Sequence, residues 1–232
     1  MKIAGVIKNS FVDWPGNIAA VVFTPGCNMN CWYCHNAGIK EDNNWNEDKL
    51  YEYLDSRKNF LDGVVFSGGE VTLQPDLKDN LKRVKDMGLK VKLDTNGLNP
   101  TLLRDLIDEK LVDFVAMDIK APFEKYDKVT RVHCDKDAIQ SSIDILMTGI
   151  VPYEFRTTFS PDLTLDDIRY IAEHMIRGAE HYAVQQYRTE CYNGVLEEKP
   201  HSDAYVMQAK DLVIPFVKDC KIKGIVIPND RL

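Results

Sequence analysis

The sequence predicts an α/β fold: a partial (β/α)6 barrel, TIM-like, with parallel strands alternating with helices over one domain, residues 1–232. Three observations carry this reading. Short apolar runs recur along the chain with helical patterns between them. The runs are continuously apolar, as expected of strands buried on both faces. The glycine, acid and cysteine motifs fall at the C-terminal ends of those runs, where α/β barrels hold their sites. Periodicity alone does not separate such a barrel from an open doubly wound sheet.

The elements follow in order. Residues 18–24 (I-A-A-V-V-F-T) form a first strand that stops at Pro25-Gly26. Residues 46–61 place Leu50, Tyr53, Leu54 and Phe60 near a helical period. A strand at 63–67 ends at Gly68-Gly69, and a helix at 76–87 is closed by Gly88. Then come a strand at 89–93, a helix at 100–109, a strand at 113–117 and a helix at 136–147. A strand at 153–159 is broken by Ser160-Pro161; a helix at 165–177 stops at Gly178. A sixth strand covers 181–187, a helix 203–218 and a last short strand 222–227. Residues 39–45 and 188–200 read as loops.

The 232 residues are 44% hydrophobic and 28% charged, an ordinary globular balance. No apolar run approaches the ~18 residues of a membrane span, and the N-terminus lacks an apolar signal core. A cytoplasmic protein is expected, with few disulfides. The net charge of −7 argues against a broad nucleic-acid footprint. Cys134, Cys191 and Cys220 are scattered, and read as small buried hydrophobes or bystanders.

Chemistry collects at the strand ends. Cys27, Cys31 and Cys34 stand in P-G-C-N-M-N-C-W-Y-C-H-N, a C-x3-C-x2-C loop after the first strand. Three thiolates so close can hold a face of an iron–sulfur cluster, and three rather than four leave one iron open. The rival is a structural zinc site completed by His35, although zinc sites take four ligands, typically in two pairs. S-G-G-E (Ser67, Gly68, Gly69, Glu70) follows the second strand: a plain turn, or a place where a ligand approaches bare backbone beside a carboxylate. D-T-N-G (Asp94, Thr95, Asn96, Gly97) is a turn, or a ribose-binding acid as in dinucleotide folds. Asp118 and Lys120 in M-D-I-K form a surface pair or part of the site. Arg156 lies in the fifth strand, and Gln185 to Arg188 end the sixth. Trp32 and Tyr33 shield the cysteine loop from water or plug the barrel top.

These motifs together resemble the radical S-adenosylmethionine (SAM) superfamily: C-x3-C-x2-C with an aromatic before the last cysteine, then G-G-E after the second strand. F-V-D-W-P-G, the cysteine loop, S-G-G-E, L-D-T-N-G and M-D-I-K are similar to the glycyl-radical-enzyme activases. F-R-T-T-F-S-P and V-Q-Q-Y-R look most like the activating proteins of anaerobic ribonucleotide reductases. Two departures are Trp14 in W-P-G, where the family has G-P-G, and Val71 where it has proline. No dense second cysteine cluster is present, so an auxiliary ferredoxin-like domain is not expected.

The resemblance implies a [4Fe–4S] cluster on Cys27, Cys31 and Cys34, with SAM chelating the open iron. It implies SAM contacts from Tyr33, Ser67, Gly68, Gly69, Glu70, Asp94, Asn96, Lys120 and Arg156. It also implies a monovalent cation at Asp94, Thr95, Asp118 and the Ala116 carbonyl. The implied reaction is reductive cleavage of SAM to a 5′-deoxyadenosyl radical, which takes a hydrogen from a glycine of a partner enzyme. That partner is expected to be an anaerobic ribonucleoside-triphosphate reductase, with pyruvate formate-lyase or another glycyl radical enzyme as the alternative. A flavodoxin or ferredoxin would supply the electron. A radical SAM enzyme for a small molecule or peptide shares the same site, whereas an iron–sulfur carrier would need no nucleoside pocket.

Overall fold

The computed structural model describes residues 1–40, 44–191 and 194–225. Its centre is an eight-stranded sheet made of β1 (Gly5–Ser10), β2 (Ala19–Thr24), β3 (Gly63–Gly68), β4 (Lys90–Thr95), β5 (Phe114–Asp118), β6 (Tyr153–Phe159), β7 (Tyr182–Gln186) and β10 (Cys220–Lys223), adjacent in that order. β1 is antiparallel to β2, and every later pair is parallel. A separate hairpin joins β8 (Glu190–Cys191) to β9 (Gly194–Val195). The helices are α1 (Glu47–Arg57), α2 (Leu77–Asp86), α3 (Pro100–Asp108), α4 (Phe123–Thr130), α5 (Lys136–Met147), α6 (Leu165–Tyr170) and α7 (Asp203–Val213).

The strand order decides between the two architectures left open by periodicity. A doubly wound sheet reverses direction at a switch point. Here the order runs with the sequence and never reverses. Right-handed crossovers then put every helix on one face, and the buried side chains agree. Leu50, Leu81, Leu106, Tyr126, Ile143, Ile168 and Val206, from seven helices, share one core with Val22, Phe66, Leu93, Met117 and Phe155 of the strands. The opposite face keeps only a small apolar cluster of Trp14, Ala19, Val21 and Val65. The remainder of that inner face carries Lys92, Asp94, Asp118 and Arg156, each at alternate positions from core residues. A helix-covered wall with a polar concave face is a partial barrel.

One edge strand and one helix extend the expected pattern. β1 is half exposed with three exposed residues in a row, so its apolar signal is weak. α4 has no side-chain cap and ends at Arg131 in the left-handed conformation (φ 55°) instead of at a glycine. The helix expected at 165–177 is α6 continued by a π-helical turn, Ile171–Met175. The helix expected at 203–218 ends at Val213. Of the strand expected at 222–227, residues 222 and 223 lie in β10, and 226 and 227 lie outside the described residues. Among the described residues no helix is long and apolar enough to cross a membrane.

Candidate active site

The cysteine loop leaves β2 at Thr24 and is pinned from several sides. Gly69 N–H donates to Thr24 O (2.8 Å), and Glu70 N–H to Gly26 O (2.8 Å). Gln74 Nε2 reaches Pro25 O (3.2 Å), and Asn30 N–H reaches Thr130 O at the end of α4 (2.9 Å). Trp32 Nε1 donates to Asp162 Oδ2 (2.6 Å). Asn96 Nδ2 donates to Asn28 Oδ1 (2.7 Å), and Asn36 Nδ2 to Gly68 O (2.7 Å). Buried polar groups held this way fix a loop that has no regular structure of its own.

Gly68 and Gly69 line the cavity and also seat the cysteine loop. Their bare backbone admits the cysteine loop itself: a Cβ on Gly69 would lie 1.8 Å from Gly26 O, and one on Gly68 2.3 Å from Thr24 N. Gly68 also holds φ 119°, which side chains disfavour.

Cys27, Cys31, Cys34, Tyr33, Ser67, Gly68, Gly69, Glu70, Asp94, Thr95, Asn96, Asp118, Lys120 and Arg156 line one cavity of about 240 Å³ at the C-terminal rim of the strands. Of the residues expected to touch the cluster, SAM or the cation, Ala116 lies away from its wall; at the end of β7, Gln185 lines it, and Gln186, Tyr187 and Arg188 do not. All three thiols are free. Burial pushes the Cys31 thiol up to about 11, with Lys120 opposing and Cys34 adding to the rise. Burial likewise raises Cys27. Such thiols give up their protons to a strongly positive centre. Among the described residues no three His, Cys, Asp or Glu close on a single metal ion. His35 is turned to Arg188 O (3.2 Å). A cluster, whose irons take one thiolate each, suits the donor set. Tyr33 is 4% exposed, and its hydroxyl has no protein partner. An orphaned buried hydroxyl in a cavity wall fits a site built for a polar ligand.

Glu70 is buried and heavily used. Oε1 accepts from Thr72 N–H (3.1 Å), Thr72 Oγ1 (2.6 Å) and Thr95 Oγ1 (2.8 Å), and Oε2 from Asn96 N–H (2.7 Å). It clamps the D-T-N-G turn to S-G-G-E. Oε2 has this one donor, against three on Oε1. Burial raises its pKa against those hydrogen bonds.

Beyond it lies an ionic relay. Asp94 accepts from Lys92 Nζ (2.7 Å), Ser67 Oγ (3.0 Å) and Arg156 Nη1 (3.3 Å). Asp118 accepts from Arg156 Nε (2.8 Å) and Lys120 Nζ (3.0 Å). Burial acts to raise both carboxyls, but Arg156, with Lys92 at Asp94 and Lys120 at Asp118, holds them below the usual range. At an effective dielectric near ~20, each close opposite pair is worth about 4 kcal/mol before desolvation, which is why attraction prevails. The four residues named for a monovalent cation do not form one shell. Thr95 turns its hydroxyl to Glu70, and Ala116 sits mid-strand between Asp94 and Glu154.

Sequence reasoning passed over Lys92, Asn28 and Asn36. Lys92 carried a usable signal, since it stands two residues before Asp94 and so shares its face of the strand. Cys134 and Cys220 are buried hydrophobes, and Cys191 in the β8–β9 hairpin is not on the cavity wall.

A partial barrel with three thiols and a polar pocket on one rim defines an enzyme built around an iron–sulfur cluster. Comparison with known proteins makes this particular. The Radical SAM superfamily model matches residues 21–175. A protein of Methanocaldococcus jannaschii described as a glycyl-radical enzyme activating enzyme is 34% identical over 92% of this chain and 86% of its own. The pyruvate formate-lyase-activating enzyme of Streptococcus mutans is 31% identical over 81% of this chain and 79% of its own. In fold alone, SuiB of Streptococcus suis bound to S-adenosylmethionine matches with a TM-score of 0.66, at 15% identity over 85% of this chain and 48% of that one. The chain belongs to the radical SAM superfamily and, within it, to the glycyl-radical enzyme activating enzymes. A [4Fe–4S] cluster and SAM are the defining cofactors of that superfamily.

Proposed function

We propose that this chain cleaves SAM reductively and installs a glycyl radical on a partner enzyme. The observation that carries the reading is the meeting of three free thiols with Glu70, Asn96, Asp94, Lys120 and Arg156 in one cavity. Bound there, the cluster and SAM supply one-electron cleavage to methionine and a 5′-deoxyadenosyl radical able to take hydrogen from a glycine Cα.

The protein's own work is placement. Gly68 and Gly69 dock the cysteine loop, and Asn96 holds it through Asn28. In this reading Glu70 takes the methionyl amine, Lys120 and Arg156 the carboxylate, and Asp94 a ribose hydroxyl, all of them on the cavity wall. Tyr33 closes the cavity beside Trp32, whose ring also packs on Tyr187. That aromatic lid keeps water from a reactive intermediate. Hydrogen abstraction itself needs no general base.

The relatives described above shift the preferred partner. The likeness to anaerobic ribonucleotide reductase activators rests on two short segments, in β6 and β7, whereas the Streptococcus mutans relative carries the pyruvate formate-lyase name across four-fifths of this chain. A pyruvate formate-lyase-type glycyl radical enzyme is therefore the first partner to test, with flavodoxin or ferredoxin as donor. Anaerobically reconstituted protein with dithionite and SAM should release 5′-deoxyadenosine, and added partner should show a glycyl radical doublet by electron paramagnetic resonance. SAM cleavage with no doublet on either class of partner would point to a small-molecule or peptide substrate.

A further inference from the structure

Two half-buried carboxylates face the cavity, Asp94 and Asp118, and each of their four oxygens accepts from a protein donor. Asp94 Oδ1 takes Lys92 Nζ; Asp94 Oδ2 takes Ser67 Oγ and Arg156 Nη1; Asp118 Oδ1 takes Arg156 Nε; and Asp118 Oδ2 takes Lys120 Nζ. Three fixed cations thus stand against two anions. The resemblance had implied a monovalent cation here. The residues do not fit one as they stand: Lys92, Arg156 and Lys120 already neutralise Asp94 and Asp118, and Thr95 gives its hydroxyl to Glu70.

Lys92 is the residue that makes the difference. It is 4% exposed, and its ammonium lies 2.7 Å from Asp94 Oδ1 and 2.8 Å from the Asp13 carbonyl. That carbonyl belongs to the V-D-W-P-G turn, whose Trp14 packs on the inner sheet face. A desolvated ammonium with two oxygen partners at cation-like distance does what a bound alkali ion would do: it neutralises Asp94 and orients it. We infer that Lys92 is a built-in counter-cation, a positioning residue whose ammonium replaces a monovalent metal ion beside the SAM pocket.

This rests on reading the rim as the SAM site, so the test has one arm that does not. Reconstituted protein is dialysed against radiolabelled sodium or rubidium, and its SAM affinity is measured separately in sodium, potassium and tetramethylammonium chloride. Wild type should show no saturable alkali-ion site and the same SAM affinity in all three salts. Lys92→Met should gain a saturable ion site, with SAM binding about tenfold tighter in sodium or potassium than in tetramethylammonium. Lys92→Arg should stay ion-independent. A saturable ion site in wild type, or a folded Lys92→Met protein indifferent to alkali ions, overturns the inference. If Lys92→Met does not fold, the wild-type dialysis decides alone. If SAM binds in no salt, the reading of the rim fails, while the ion measurement still decides the role of Lys92.

Discussion

Gly69 rests directly on Gly26, so that a Cβ on the first would fall 1.8 Å from the carbonyl oxygen of the second. The same two strand ends exchange backbone hydrogen bonds, Gly69 N–H to Thr24 O and Glu70 N–H to Gly26 O, both at 2.8 Å. The loop that carries Cys27 is thereby seated by the loop after the neighbouring strand. Both partners at the contact are backbone, which cannot turn aside as a flexible side chain could. Gly69→Ala should cost more than about 3 kcal/mol locally, lower the melting temperature and reduce iron per chain after reconstitution. An alanine variant with wild-type iron content and melting would contradict this contact.

Glu70 gathers four donors on two oxygens. Glu70→Gln sets an amide NH₂ against donors at one of those positions. The expected loss is about 1–3 kcal/mol of stability, with weaker SAM binding because Asn96 is no longer held. Calorimetric melting together with SAM titration checks both, and unchanged values in each would remove Glu70 from its clamping role.

Asp118 gives a pH prediction. Burial raises its carboxyl, but Arg156 and Lys120 outweigh burial and hold it below the ordinary range. A depressed native pKa contributes stability that is complete above the unfolded value near ~3.9 and is lost as pH falls toward the native one. Asp118→Asn should therefore be less stable by about 3 kcal/mol near neutral pH, the low end for a broken buried pair, since Asp118 keeps part of its surface exposed. The deficit should shrink as pH drops below about 4. Denaturant melts across acid pH test it; a gap that widens toward low pH would contradict the sign.

Trp32 Nε1 donates to the Asp162 carboxylate at 2.6 Å, tying the cysteine loop to the turn after β6. Trp32→Phe keeps an aromatic ring on Tyr187 and removes only the donor. A loss of about 1–3 kcal/mol is expected, and faster loss of the cluster in air, followed by its visible absorbance. Air stability equal to wild type would show that the ring alone shields the site.

Cys31 is the buried thiol of the three. Cys31→Ala should leave the fold intact, since it deletes one sulfur from a loop anchored elsewhere, and abolish both cluster assembly and 5′-deoxyadenosine release. Full SAM cleavage by this variant would show that the cluster assignment is wrong. Cys134→Ala, in a buried site away from the cavity, is the matched control and should retain both.

Much of this was legible along the chain. Six parallel strands were found from short apolar or alternating runs bounded by glycine and polar breaks, a pattern that survives in β4 and β6 although one face of each is polar. The site residues could be found because a βα repeat sends every strand end to the same rim. β1 and α4 were missed for local reasons: an edge strand half in water has little apolar signal, and a helix ended by Arg131 in the left-handed region carries no glycine stop. Lys92 was missed because a lysine within a strand reads as a solvent-facing residue.

The sequence by itself determined which chemistry is present and at which rim it lies, since cysteine spacing and strand-end motifs are local properties of the chain. Only the tertiary structure decided how those groups are used. It turned Gly68 and Gly69 toward the cysteine loop, split Glu70 between Thr72 and the D-T-N-G turn, and aimed Lys92 at Asp94 inside the barrel. The physical reason is that local pairs such as Lys92 with Asp94 are completed by partners tens of residues away, as Asp13 is for Lys92, Arg156 for Asp94 and Asn96 for Glu70. Which donor meets which acceptor is settled by strand register and by the cost of leaving a buried polar group without a partner, and neither is written in any one segment.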